Sequence, residues 1–111
     1  MSYTAFEHET RDEVLELVKE HGSPSDMEDS QNDAPSMRDM LELASTTPTI
    51  TYHGYIIGKP RVDYRVTLSG FYIPSLTADE LLSWIDMHRM ADECSWEKNT
   101  DGTYNFRTWW D

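Results

Sequence analysis

Val62-Asp63-Tyr64-Arg65-Val66-Thr67-Leu68-Ser69 alternates apolar and polar residues without a break, and Tyr72 continues the apolar set. Alternation with period two marks a strand with one buried face. Val62, Tyr64, Val66, Leu68 and Tyr72 are therefore predicted on the core side, with Asp63, Arg65, Thr67 and Ser69 facing away. The preceding apolar stretch, Thr49 to Ile57, supplies a partner strand, and Gly58-Lys59-Pro60-Arg61 reads as the turn of an antiparallel hairpin. Thr77 and Glu80 then have capping-box spacing, with Leu76 placed to staple onto Leu81, so a helix is predicted to run to about Glu93. Asp101-Gly102 is the preferred two-residue hairpin turn. It would pair Trp96 with Arg107 and set Tyr104, Phe106 and Trp110 on one face.

Toward the N-terminus, Thr10 and Glu13 form another capping box ahead of the apolar set Val14, Leu15, Leu17 and Val18, and Gly22 ends that helix. Ser36 is the N-cap of a short second helix built on Met37, Met40, Leu41 and Ala44, which must stop before Pro48. The order α-α-β-β-α-β-β predicts an α+β domain: an antiparallel sheet from two hairpins with helices packed on one face. With 111 residues, the expectation is one domain.

Charge is unevenly placed. The net charge is −12, from 21 acids against 9 bases. Residues 1–47 carry 12 acids and 3 bases, residues 48–73 one acid and 3 bases, and residues 74–111 8 acids and 3 bases. Residues 22–36, GSPSDMEDSQNDAPS, hold four acids, no base and one large apolar residue, Met27, and are expected to be a mobile acidic loop. A field of this sign repels phosphate backbones and anionic lipid, so direct nucleic-acid or membrane binding is excluded and a basic protein becomes the natural partner. The polar start MSYTAFEHETRDE has neither the basic nor the apolar region of a secretion signal, and no apolar run approaches the ~18 residues of a membrane span. One cysteine, Cys94, allows no internal disulfide. A cytoplasmic location is expected.

No phosphate-cradling glycine loop, HExxH pair, CxxC pair or GxSxG elbow is present. His88 and Asp92, four residues apart with Cys94 beyond, are too few to make a metal centre and are expected to be a surface pair. Cys94 lies among Asp92, Glu93 and Glu97, acids that raise a thiol pKa, so pairing with His53 or His88 as a nucleophile is disfavoured. The expectation is a protein without catalytic residues, cofactor or metal.

The acids form patterns instead. Glu9, Glu13, Glu16 and Glu20 recur at spacings of 4, 3 and 4, with Glu9 just ahead of the N-cap and the others along one stripe of the first helix, their carboxylates about 5 to 6 Å apart. Asp79, Asp86 and Glu93 recur every seven residues in the helix predicted after Thr77. Asp26, Glu28 and Asp29 add charge from the loop. Trp109 and Trp110 must point to opposite faces of a strand, and Trp109 is the candidate exposed anchor at an interface.

This profile, with the Glu13, Glu16, Glu20 stripe, resembles the small acidic inhibitors encoded by phages and mobile elements, including DNA-mimicking anti-restriction and anti-CRISPR proteins. The resemblance implies a non-enzymatic cytosolic protein whose carboxylates occupy the nucleic-acid channel of a nuclease or effector complex. Immunity proteins and antitoxins against basic nuclease toxins share the profile and the physics. A third reading is salt adaptation, since the chain has only Lys19, Lys59 and Lys98, although thirteen aromatic residues and six Met fit an average protein with a biased surface poorly.

Overall fold

The computed structural model describes residues 3–31, 34–89 and 91–110. Strand β1 (Tyr3–Glu9) leads into helix α1 (Arg11–His21), a 3-10 turn (Pro24–Glu28) and helix α2 (Met37–Glu42). Strands β2 (Thr51–Ile57) and β3 (Arg65–Leu76), helix α3 (Ala78–Met87), and strands β4 (Glu93–Lys98) and β5 (Tyr104–Trp109) follow. The strands form one antiparallel sheet in the order β1-β2-β3-β5-β4, so the class is α+β as predicted. Helix α1 packs over β2 and β3 and α3 over β3 and β5, on one face of the sheet. No helix among the described residues is long and apolar enough to cross a membrane.

The caps read from sequence form. Thr10 accepts from Glu13 N–H while Glu13 returns to Thr10 N–H, Thr77 and Glu80 do the same, and Ser36 accepts from Asp39 N–H. The apolar sets they introduce meet on the sheet: Val14, Val18, Met40, Leu41, Leu81 and Trp84 against Tyr52, Val66, Leu68, Phe71, Ile73 and Phe106.

Several expectations are corrected. Residues 3–9, a polar stretch assigned no structure from sequence, form the edge strand β1, held through its backbone to β2; only Phe6 reaches the core. Strand β3 begins at Arg65, leaving Val62 fully exposed in the connection. Ser69 is an extra residue opposite the His53/Gly54 step, and this bulge reverses the alternation. Val66 and Leu68 face the core as predicted, but beyond the bulge Phe71 and Ile73 do, and Tyr72 points out. Helix α3 stops at Met87, which puts Glu93 on β4.

The last hairpin is shifted by one residue, pairing Trp96 with Phe106 and Ser95 with Arg107. Its turn has three residues, not two: Asn99 O accepts from Gly102 N–H, and Gly102, at φ 87°, returns the chain for Asn99 N–H to reach Thr103 O. Tyr104, Phe106 and Trp110 nevertheless share the core-facing side.

Two further irregularities bend the sheet. β1 carries an extra residue between Phe6 and Glu9, with His8 at φ 56°, and β3 one between Ile73 and Leu76, with Ser75 at φ 59°. Curvature at such bulges lets Glu7 of β1 and Arg107 of β5 meet at 3.4 Å although two strands separate them.

Candidate functional site

Helix α1 turns Val14 and Val18 down and Asp12, Glu13, Glu16 and Glu20 outward; α2 exposes Asp39 and Glu42; α3 exposes Asp79, Glu80 and Asp86. These nine exposed acids share the helical layer with three bases on the helices, Arg11, Lys19 and Arg38, and with Arg89 just past α3. Capping physics contributes part of the pattern, because acids in a first turn face unpaired N–H groups. It does not account for Glu16 and Glu20, which lie past that turn.

The stripe is not uniform. Glu13 is committed to the cap, and its hydrogen bonds from Thr10 hold its carboxyl below the usual range. Glu9, at the end of β1, is pushed up by burial and by the neighbouring Glu13. Glu20 lies 3.3 Å from His21 Nε2, and Asp86 is paired with Arg89. Glu16 enters no ion pair among the described residues.

Other predicted acids lie elsewhere. Asp26 is 4 % exposed and is not a surface group. Its Oδ2 accepts from Ser23 N–H at 3.1 Å and from Val66 N–H at 3.0 Å, occupying the β3 edge beyond the reach of β5. A Cβ on Gly22 would overlap that same oxygen, so the glycine makes room for the carboxylate. Glu28 is exposed and bonded to Arg38 at 2.6 Å, and Asp29 is exposed. Residues 32 and 33 of the acidic stretch lie outside the described residues. Glu93 pairs across the hairpin with Trp109 on the sheet face opposite the helices.

Trp109 belongs to that same outer face, so it cannot flank the α1 stripe. Strand alternation sends Trp110 into the core at 4 % exposure and Trp109 to the far side, where it stacks on His53 at 5.3 Å and lies under the Arg107 guanidinium at 5.1 Å. His53 is 2 % exposed, and burial, with Arg107 nearby, depresses its pKa to about 4. Tyr3 stacks on Tyr55, and the Tyr55 hydroxyl donates to Gln31 Oε1 at 3.2 Å. The alternation at Trp109-Trp110 is the one sequence signal for this face; Tyr3 lies on β1, a strand not read from sequence.

His88 and Cys94 have no exposed metal-binding geometry. His88 stacks on Trp84 and meets Phe71 edge-on, its Nε2 enclosed without a hydrogen-bond partner, and burial lowers its pKa. Burial raises the Cys94 thiol. No group of three or more His, Cys, Asp or Glu is assembled to hold a metal ion among the described residues.

No family model, curated protein or solved structure matches this chain.

Proposed function

We propose that this protein acts by binding: its acidic helical layer docks on the positively charged, nucleic-acid-binding surface of a partner protein, a nuclease or effector complex, and blocks it. The observation that carries this reading is the sidedness of the charge. Nine exposed acids and four bases, Arg89 beside α3 included, lie on one face of the sheet, with the Glu16–Glu20 part of α1 outside the turn where acids stabilise the helix. Like charges at i, i+4 destabilise an isolated helix by a few tenths of a kcal/mol per pair, so the stripe is not there for stability. Opposite fields accelerate encounter, and salt removes that advantage.

The reading is tested by charge reversal. Glu16→Lys, Glu20→Lys and Glu42→Lys together leave every cap intact and should weaken association at least tenfold. Reversing Asp92, Glu93 and Glu97 together, outside the helical layer, should weaken it much less. Equal losses from both sets would show that net charge matters and the helical layer does not.

A further inference from the structure

The outer face of a one-sided antiparallel sheet is ordinarily solvated and polar. Here Thr67 and Ser69 are 7 % and 3 % exposed on that face, beside the buried His53. Tyr55 of β2 is the cross-strand neighbour of Thr67, and Trp109 of β5, Tyr3 of β1 and Gln31 ahead of α2 gather with it around Ser69. The cover is incomplete: a cavity of about 220 Å³ remains among these side chains and Trp110, where Ala5, Gly54 and Ser69 are too small to fill it.

Three features define what the cavity accepts. None of its described lining residues is charged, in a chain with 27 % charged residues. The two guanidinium groups nearest its aromatic walls, Arg65 over Tyr55 at 5.8 Å and Arg107 over Trp109, are each held by a carboxylate, Asp63 and Glu7. The volume is below the roughly 300 Å³ from which pockets for drug-sized ligands start, and suits one ring system. Hydrogen-bonding capacity is supplied by the Ser69 hydroxyl and by the Gln31 amide, whose oxygen already takes the Tyr55 hydroxyl and whose NH₂ keeps two donors.

We infer that this cavity binds a single uncharged, planar heteroaromatic ring, the chemistry of a free nucleobase or a nucleoside. The aromatic walls supply stacking or edge contacts, and Gln31 and Ser69 meet the polar ring edge. A phosphorylated form of the same ring is disfavoured, because the described lining residues include no cation and the net charge is −12. None of its described lining residues is one of the nine exposed helical acids, so it stands or falls independently of the partner reading.

The test is a titration of the ¹⁵N-labelled full chain with adenosine, uridine, p-cresol and adenosine monophosphate at low salt. Adenosine or uridine should produce saturable shifts at the Ala5, Gly54 and Ser69 amides and the Trp109 indole. The monophosphate should bind at least tenfold more weakly than adenosine. Ala5→Trp, at an exposed edge-strand position, should fill the space and abolish the shifts, with unchanged α3 resonances as the check on folding, and Gln31→Leu should weaken binding several-fold. The inference is overturned if neither nucleoside gives a saturable shift, if the monophosphate binds equally, if Ala5→Trp folds and leaves binding intact, or if p-cresol alone binds.

Discussion

His53 Nε2 on β2 donates to Thr108 O on β5 at 2.8 Å, passing over the intervening strand β3 at Gly70. A Cβ at Gly70 would overlap both the Thr108 carbonyl and the imidazole, so the glycine is what permits the crossing. Trp109 then closes the histidine off from water.

That enclosure makes stability depend on pH. The folded state holds His53 neutral, with its pKa moved from 6.5 down to about 4, so the unfolded chain takes up the proton first. The contribution is fully present above about pH 6.5 and is lost progressively as pH falls toward 4, by about 3 kcal/mol in all. His53→Gln keeps an N–H donor and removes the titration. Denaturant unfolding between pH 6.5 and 4.5 should show a shallower pH dependence in the variant than in the wild type, and parallel curves would contradict the buried, neutral assignment.

The bulge at Ser69 makes neighbouring aromatic residues unequal. Phe71 is fully buried, and Phe71→Ala should cost about 3 to 5 kcal/mol, whereas Tyr72→Ala, on the outer face, should cost under about 1.5 kcal/mol. Leu68→Ala, before the bulge, should cost about 2 to 5 kcal/mol. Equilibrium unfolding of the three variants checks the register, and a larger cost at Tyr72 than at Phe71 would restore the unbroken alternation.

Asp26→Ala leaves the buried Val66 N–H without its acceptor and should cost about 1 to 3 kcal/mol. Hydrogen exchange at Val66 should quicken selectively, while exchange on α3 follows global stability alone. Unchanged Val66 protection would mean that the carboxylate is not seated on the strand edge.

The elements legible in the sequence were those announced by local chemistry. The Thr10 and Thr77 caps, the Ser36 N-cap and the apolar helical sets act within a few residues of themselves, and all appear as read. β1 was not legible because an edge strand gains its place from backbone pairing with β2 and needs no apolar alternation of its own. The bulge at Ser69 is set by pairing with β2, a strand apart in the chain, so the alternation slipped there. The last hairpin slipped because Asp101-Gly102 sits in a three-residue turn closed by Asn99 and Thr103, where a two-residue turn is predicted. Among the acids, Glu16, Glu20, Asp79 and Asp86 are exposed as expected, while Asp26 is buried by a backbone donor forty residues away and Glu93 belongs to a strand.

The blocking role is tested most directly by competition. A basic nucleic-acid-binding protein retained on this chain at low salt is mixed with its nucleic acid and increasing amounts of the chain, and the bound nucleic acid is measured. Stoichiometric displacement is predicted, weakening as salt rises, with the Glu16→Lys, Glu20→Lys, Glu42→Lys variant at least tenfold less effective. A ternary complex that holds nucleic acid and this protein together, equal displacement by the variant, or no basic protein retained at low salt would contradict it.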